Sequence, residues 1–250
     1  MTSNDNSART IALVTGGNRG IGQAIVEQLA QLDMTVLLGS RDPERGAGVA
    51  RILQDAGYDV HSVTLDVTRP DTVRAAAKVI DQKYGRLDIL VNNSGISGNS
   101  QLLKPSEADI ELLREVFETN FFGVVMVTNA MLPLLRCSAA ARIVNMSSHV
   151  GSLASMTDPE HYMSKLRAQA AYPTSKTALN ALTVQYAKEL KDEGILVNAA
   201  APGGCATDFT KGIPLTRTAA EGAAIVVRLA TLGPDGPTGG YFADDGPVRW

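Results

Sequence analysis

Short apolar runs alternate with longer stretches of helical periodicity along almost the whole chain. Most of the runs are apolar at every position, which is typical of strands covered on both faces. The predicted strands are 10–15, 34–39, 60–65, 87–91, 142–146, 195–199 and a short run near 241–242. The predicted helices are 21–31, 43–56, 70–84, about 106–135, 174–191 and about 219–232. This alternation predicts an α/β fold, a doubly wound parallel sheet with helices on both faces.

Length and composition add limits to this picture. A chain of 250 residues suits a flexible tail at 1–9 followed by one domain at 10–250. A net charge of −3 without a basic stripe argues against nucleic-acid binding, and Cys137 and Cys205 are expected to be free thiols. The sequence contains neither a signal peptide nor an apolar run of membrane-spanning length, so a cytoplasmic protein without membrane contact is expected.

A glycine-rich loop joins the first predicted strand to the first helix. Gly16, Gly20 and Gly22 give the spacing G-x-x-x-G-x-G. Without side chains, the backbone can approach a pyrophosphate, whose charge then faces the N-terminus of the helix. The loop therefore predicts a dinucleotide site in a Rossmann-type fold, and the alternative is a simple turn. Further cofactor contacts are expected from Asn18, Arg19 and Ile21.

The end of the second strand bears on which dinucleotide binds. A cofactor with a free ribose 2′-hydroxyl usually meets a carboxylate there, whereas a 2′-phosphate requires a cation. Arg41 follows the strand, and together with Arg19 it could hold such a phosphate, which favours NADPH. Alternatively, both arginines are solvated and Asp42 binds the ribose. Asp42 precedes Pro43, however, and this order is typical of a helix cap.

Polar residues also end the third and fourth predicted strands. Asp66, followed by Val67, could accept a hydrogen bond from an adenine amino group or could cap the helix that begins at Pro70. The fourth strand ends in the sequence NNSG, which includes Asn93 and Gly95. These amides are candidate cofactor contacts, but they could equally connect neighbouring strands.

A tyrosine and a lysine lie near the start of the helix that follows the fifth strand. Tyr172 and Lys176 are four positions apart, so they share one helix face. A free tyrosine has a pKa of about 10, and a neighbouring cation favours the phenolate and lowers that pKa. The pair is a candidate acid–base centre, and the alternative is ordinary surface packing. Among the six tyrosines, only Tyr172 has a lysine at this spacing.

The motifs TGGNRGIG, LDV, NNSG, ETNFFG, NMSS, YPTSK and PGGCAT occur in this order between residues 10 and 207. Together they resemble the short-chain dehydrogenase/reductase family. The resemblance implies that Tyr172 protonates the substrate oxygen and that Lys176 holds the nicotinamide ribose and lowers the pKa of the phenol. It further implies that Ser148 binds the substrate carbonyl and that Asn120 holds a water of the proton relay. Contacts on the nicotinamide side are implied for Pro202, Gly203 and Thr207.

The separation of Ser148 and Tyr172, 24 residues, is about twice that of compact family members. This insertion, the SRD segment and the ending GPVRW are similar to the carbonyl-reductase branch. Asp158 before Pro159 predicts an added helix over about 158–170. Such a helix would cover a face through which many family members associate, so a monomer is expected. The insertion also contains Tyr162 with Lys165, a second tyrosine–lysine pair at a less suitable spacing.

The resemblance implies NADPH-dependent reduction of a ketone or aldehyde. Walls of the substrate site are expected from 96–103, 149–156 and 203–215, whose composition favours a small, mainly apolar carbonyl substrate. His149 either touches substrate or is satisfied within its loop. Two alternatives stay open: an NADP-dependent alcohol dehydrogenase working in the oxidative direction, and a non-catalytic protein that senses dinucleotides. No cluster has metal-ligand spacing, so no metal is predicted.

Overall fold

The computed structural model of the chain describes residues 9–98 and 104–250. In this part of the chain, eight strands form one sheet in the order β3-β2-β1-β4-β5-β6-β7-β8, parallel except for the β7–β8 pair. The predicted doubly wound sheet is thereby confirmed. The strands are β1 Ile11–Thr15, β2 Thr35–Ser40, β3 Val60–Thr64, β4 Ile89–Asn92, β5 Arg142–Met146, β6 Leu196–Ala200, β7 Tyr241–Ala243 and β8 Gly246–Pro247.

Helices connect the strands. Those in the described ranges are α1 Gly20–Gln31, α2 Pro43–Asp55, α3 Pro70–Tyr84, α4 Ile110–Phe117, α5 Gly123–Leu135, α6 Leu153–Thr157, α7 Tyr172–Leu190 and α8 Ala219–Ala230. Single 3₁₀ turns lie at Pro105–Glu107, His149–Gly151, Tyr162–Lys165, Lys191–Glu193 and Asp208–Thr210. The predicted bounds of β5 and α3 match those observed, and most other predicted bounds differ by one or two residues.

Alternating strand residues enter two separate cores. In β1, Leu13 packs with buried residues of α3, α5 and α7, whereas Ala12 and Val14 pack with those of α1, α2 and α8. Both faces of the sheet are therefore dry, which explains why the strands are apolar at nearly every position. Complete burial of one leucine such as Leu13 contributes about 1.5–3 kcal/mol to the free energy of folding.

The long helix predicted at about 106–135 is interrupted. A π-helical turn, Glu118–Phe122, separates α4 from α5. Such turns insert one residue into the helical ladder and occur often at functional sites. Here the turn contains Asn120, whose side chain is completely buried.

The added helix predicted over 158–170 is wrong. The insertion instead contains α6, capped by Ser152, and the 3₁₀ turn Tyr162–Lys165. Asp158 does not begin a helix; its carboxylate accepts a hydrogen bond from the backbone N–H of Glu160 and forms an ion pair with Arg249. The side chain therefore closes a local turn rather than capping a helix.

The expected flexible tail at 1–9 lies outside the described residues except for Arg9, which forms ion pairs with Asp33 and Asp59. Among the described residues, no helix is both long and apolar enough to cross a membrane.

Candidate active site

The predicted site residues gather at one edge of the sheet. The strands β1, β4, β5 and β6 are neighbours and run parallel, so the segments that follow them emerge at the same edge. These segments carry the glycine loop, the NNSG sequence, Ser148 and Pro202. In doubly wound sheets, ligands bind at this edge where the strand order reverses, here between β1 and β4.

The glycine loop is shaped for close approach of a ligand. Gly16 and Gly20 have φ values of 64° and 53°, which favour glycine. A Cβ atom at Gly22 would overlap the carbonyl oxygen of Gly16 and would lie 2.5 Å from Nδ2 of Asn93. The first turn of α1 contains no acidic residue, and no described side chain caps it at Arg19. Its N–H groups therefore suit the pyrophosphate of a dinucleotide.

The remaining residues of this loop occupy different environments. Ile21 packs against the core formed with α1 and α8, whereas Asn18 is half-buried. A Cβ at Gly20 would lie 3.6 Å from Thr207, and Arg19 approaches the carboxylate of Asp208 to 4.0 Å. The structure thus brings the loop after β1 against the loop after β6, although the two are far apart in sequence.

The two asparagines at the end of β4 connect neighbouring strands. Nδ2 of Asn92 donates to Thr128 at 3.0 Å and to Asn145 at 2.9 Å, and Nδ2 of Asn93 donates to the Thr15 carbonyl at 2.8 Å. The hydroxyl of Thr15 accepts from the backbone N–H of Asn93 in return. The structural role considered for these amides is confirmed, and it holds the glycine loop in place.

Asp42 is engaged as the cap of α2. Its carboxylate accepts a hydrogen bond from the backbone N–H of Arg45 at 3.0 Å. The side chains of Arg19 and Arg41 are exposed, and they follow the neighbouring strands β1 and β2. Two exposed cations therefore follow these neighbouring strands, and the carboxylate of Asp42 is occupied as a helix cap.

Asp66 does not serve as the predicted helix cap, and its predicted contact with an adenine amino group stays a prediction. The helix cap of α3 is Arg69, so the predicted helix-capping role of Asp66 is wrong. Its carboxylate instead accepts from the backbone N–H and the hydroxyl of Thr68, at 3.0 and 2.8 Å. Val67 is buried, and it lies against Gly123 at the start of α5.

Ser148, Tyr172 and Lys176 lie close together at the edge of the sheet that carries the glycine loop. The side chain of Ser148 lies near the hydroxyl of Tyr172 and acts to lower the pKa of that phenol. Ser148 is extended, and its side chain does not cap the 3₁₀ turn that follows, so its hydroxyl remains available to Tyr172. Lys176 lies over the ring of Tyr172, with Nζ 5.6 Å from the centroid, and donates to the carbonyl of Met146 at 2.7 Å. Helix α7 begins at Tyr172, which fixes this pair on one turn.

Burial sets the protonation of both groups. It raises the pKa of Tyr172 to about 12, while the side chain of Ser148 acts in the opposite direction. Burial also lowers the pKa of Lys176 to about 8. For the chain by itself, desolvation of the phenolate therefore keeps the pKa of Tyr172 above its ordinary value, and the lowering by Lys176 that the family resemblance implies stays a prediction.

The π-helical turn places the side chain of Asn120 near Lys176 and the start of α7. Its amide exchanges two hydrogen bonds with the backbone of Ile96, both 2.9 Å, and donates to the hydroxyl of Ser175 at 3.0 Å. A Cβ at Gly95 would lie 3.3 Å from Oδ1 of Asn120 and 3.6 Å from Nζ of Lys176. The side chain thus connects the end of β4 to α7, and Gly95 keeps the space between these groups open.

Two other candidates occupy less suitable positions. Tyr162 is 58% exposed, stacks on His161 and lies in a 3₁₀ turn whose Lys165 is exposed. Its exposure contrasts with the burial of the Tyr172–Lys176 pair. His149 is partly buried, and burial lowers its pKa, so it is mainly neutral at physiological pH.

An aromatic ring lies beside Tyr172. Phe209 packs on Tyr172 with ring centroids 5.5 Å apart. Several large apolar side chains of the insertion and of the loop after β6 are exposed: Leu153, Tyr162, Leu166, Phe209 and Ile213. Of the expected pocket walls, residues 99–103 lie outside the described residues.

Sequence reasoning missed several residues that hold the site. Asn180 accepts a hydrogen bond from Ser147 at 2.5 Å and donates to the Gly151 carbonyl at 3.1 Å. Its position four residues after Lys176 was a usable signal, because both then face the same way on α7. Arg217 donates to the Pro202 carbonyl at 2.8 Å and also binds Asp244, and Gly203 adopts a φ of 76° beside it. No local spacing indicated that arginine.

Comparisons with known proteins agree with this geometry. The chain matches the short chain dehydrogenase family over residues 10–218. It is 36% identical to a short-chain dehydrogenase of Penicillium roqueforti, covering 95% of this chain and 94% of that protein. It is 32% identical to carbonyl reductase [NADPH] 1 of Rattus norvegicus, covering 98% of this chain and all of that protein.

A solved structure is similar over nearly the whole chain. NADPH-bound carbonyl reductase from chicken fatty liver superposes with a TM-score of 0.85 at 27% identity, covering 97% of this chain and all of that one. Together with the serine, tyrosine and lysine at the sheet edge, these matches show that the chain belongs to the short-chain dehydrogenase/reductase family of oxidoreductases and resembles its carbonyl reductases.

Proposed function

We propose that the chain reduces a ketone or aldehyde to an alcohol with NADPH. The observation that carries this proposal is the Ser148–Tyr172–Lys176 cluster, with a buried lysine and a half-buried serine and tyrosine, beside the uncapped N-terminus of α1. The cluster supplies a proton donor and a hydrogen bond for a carbonyl oxygen, and the helix terminus supplies N–H groups for a pyrophosphate.

The roles of the residues follow from their contacts. The hydroxyls of Ser148 and Tyr172 would together bind the carbonyl oxygen, and Tyr172 would give it a proton. When bound, a nicotinamide cofactor supplies the hydride. Lys176 would hold the nicotinamide ribose, and Asn120 would hold a water of the relay that returns the proton.

The pKa of Tyr172 supports the reductive direction. A phenol with a pKa of about 12 keeps its proton at neutral pH and can donate it to a developing alkoxide. Alcohol oxidation would require the phenolate, which burial disfavours. A purely non-catalytic role would leave the burial of both Tyr172 and Lys176 without an explanation.

Selection of NADPH over NADH is proposed from charge at the ribose end. Arg19 and Arg41 are exposed cations at the ends of β1 and β2, and Asp42 is committed to capping α2. The two arginines would stabilise a bound 2′-phosphate by ion pairing, whereas a free 2′-hydroxyl would need the Asp42 carboxylate as a hydrogen-bond acceptor. The rat and chicken relatives, both named for NADPH, support the same choice. Asp66, Val67, Asn93 and Thr207 would complete the cofactor site.

The substrate is proposed to be small and mainly apolar. Phe209 lies directly against the ring of Tyr172, and several apolar side chains of the insertion and of the loop after β6 are exposed. An apolar body would bury these exposed surfaces, while the carbonyl reaches the Ser148 and Tyr172 hydroxyls.

The test is consumption of NADPH in the presence of a panel of aldehydes, ketones and quinones. We expect NADPH absorbance to fall with at least one apolar carbonyl compound, and the matching alcohol to accumulate. NADPH binding without turnover of any panel member would refute the enzymatic proposal and favour a dinucleotide sensor.

A further inference from the structure

The backbone of Ser148, which follows β5, contacts a tyrosine on β7, two strands away in the sheet. Tyr241 lies on β7 with 2% of its surface exposed, and its hydroxyl donates to the backbone carbonyl of Ser148 at 2.5 Å. The same carbonyl oxygen also accepts from the N–H of Gly151 at 2.7 Å. The backbone of Ser148 therefore has one local hydrogen bond and one from a strand 93 residues away in sequence.

The segment 248–250 holds Tyr241 and the insertion together. The ring of Trp250 stacks on that of Tyr241, with centroids 5.2 Å apart and planes at 20°. The Trp250 carbonyl accepts from the N–H of Ala154 at 2.9 Å, and the hydroxyl of Ser152 donates to the Arg249 carbonyl at 2.5 Å. These contacts fasten the chain just beyond Ser148 to the same strand that carries Tyr241.

Ser147 has further partners of its own on β6 and α7. Its hydroxyl donates to Asn180, and its N–H donates to the carbonyl of Ala200 on β6, at 2.8 Å. Ser148 is thus the first residue beyond β5 whose backbone has no sheet partner among the described strands. Its carbonyl is bound instead by the N–H of Gly151 and the hydroxyl of Tyr241. A shift of its backbone would move its hydroxyl relative to that of Tyr172.

We propose that Tyr241, supported by the ring of Trp250, is a positioning residue that orients Ser148 toward Tyr172. The proposal rests on the proposed function, since it assigns Tyr241 a part in the same reaction. Tyr241 contacts the backbone of Ser148 and the ring of Trp250, and the side chains of Ser147 and Asn180 lie near its hydroxyl. Its proposed role is to position Ser148 and not to act as a catalytic residue.

The first test removes one oxygen atom. Tyr241→Phe keeps the ring and its stacking, and the Ser148 carbonyl keeps the N–H of Gly151, so no buried polar group loses its last partner. We expect kcat to fall about tenfold, because small misplacements of reacting groups are costly, while the Kd for NADPH and the melting temperature stay close to those of the unmodified protein.

The matched control is Tyr186→Phe. Tyr186 is also a buried tyrosine, and its hydroxyl donates to Asn129 at 2.8 Å between α7 and α5. We expect its kcat to be unchanged. Equal losses of kcat in the two variants, or an unchanged kcat in Tyr241→Phe, would overturn the proposal.

The second test concerns the stacked ring. Trp250→Ala should lower kcat, whereas Trp250→Phe, which keeps an aromatic ring over Tyr241, should restore most of it. If both variants lost activity equally, stacking would not be the cause and the role of Trp250 would be refuted.

A readout without turnover separates this proposal from the reaction itself. Hydrogen–deuterium exchange of the peptide covering 147–158 should be several-fold faster in Tyr241→Phe than in Tyr186→Phe. If the Tyr241→Phe variant exchanged faster but the unmodified protein reduced no carbonyl compound, the proposed reaction would be refuted, whereas the contact between Tyr241 and Ser148 would be supported. Unchanged exchange would refute the positioning role whatever the activity.

Discussion

At the residue scale, burial decides how Tyr172 and Lys176 are protonated. The raised pKa of Tyr172 keeps a proton on the phenol, and the lowered pKa of Lys176 brings its titration close to physiological pH. Both shifts have the same cause, because the charged form of each group loses water on burial. The two residues can therefore be tested separately by substitution and by pH.

Tyr172→Phe should abolish nearly all turnover, by about 10²-fold or more, because only the proton donor is lost. NADPH binding should remain, as measured by quenching of protein or cofactor fluorescence. Tyr162→Phe is the control, since this exposed tyrosine should change substrate affinity at most. The opposite ranking of the two variants would transfer the chemistry to Tyr162.

The rate of reduction should fall as pH rises through about 8. Lys176 loses its proton there, and its contribution as a cation is lost, whereas Tyr172 keeps its proton until about 12. Lys176→Arg should move the fall to higher pH, because a guanidinium stays charged. Initial rates at saturating NADPH would show it. A rate that stays constant beyond pH ~10 would contradict this assignment.

Arg41→Ala should weaken NADPH binding by about tenfold and leave NADH binding nearly unchanged, because only the 2′-phosphate needs the cation. Fluorescence titration with each cofactor would measure it. Arg51→Ala, which removes another exposed arginine on α2, should affect neither. Equal use of both cofactors by the unmodified protein would refute the preference for NADPH.

At the scale of elements, the unit formed by β1, the glycine loop and α1 allows little change in its backbone, because the start of α1 packs closely against the loop. The loop turns within a few residues, and α1 begins so close to Gly16 that Gly22 has no room for a side chain. Asn93 fastens this unit to the end of β4. The site therefore depends on the register between β1 and β4 as well as on the loop.

Gly22→Ala should weaken dinucleotide binding strongly and destabilise the protein, because its Cβ would displace the Gly16 carbonyl and the amide of Asn93. Gly48→Ala is the matched control in helix α2, where a Cβ would meet no described atom within 4 Å. That change should stabilise the fold by about 0.5–1 kcal/mol. Thermal unfolding and NADPH titration of both variants would decide. Comparable behaviour of the two variants would contradict the close approach at Gly22.

At the scale of the whole molecule, the insertion and the segment 248–250 pack on each other rather than standing free. Arg249 pairs with Asp158, and Trp250 contacts both α6 and Tyr241. The insertion and the loop after β6 also carry exposed apolar side chains, including Leu153 and Phe209.

We predict a monomer. The helix predicted over 158–170 is absent, so it cannot obstruct association. The exposed positions of α5 and α7 nevertheless favour a monomer. They are mainly polar or small: Asn129, Pro133, Thr174, Ala181, Gln185, Lys188 and Glu189. Stable oligomer interfaces are instead more apolar at their centres. Light scattering at micromolar concentration should give the mass of one chain, and a dimer or tetramer mass would show that these faces associate.

The sequence by itself determined the elements and most of the residues at the sheet edge. Strand and helix periods, the glycine spacing and the Tyr172–Lys176 interval are all local patterns, and local geometry converts each into a position on a strand, loop or helix face. The strand alternation then fixed the doubly wound order, because crossovers between parallel strands allow few topologies.

Tertiary structure alone decided the rest. The pKa of Tyr172 rises because its hydroxyl is buried, and burial depends on segments distant in sequence, such as the one that carries Phe209. The helix expected at 158–170 is not present, and Asp158 instead pairs with Arg249, which lies far away in the sequence. Likewise, the hydrogen bond from Tyr241 to Ser148 joins β7 to the end of β5, and no spacing along the chain encodes such a contact.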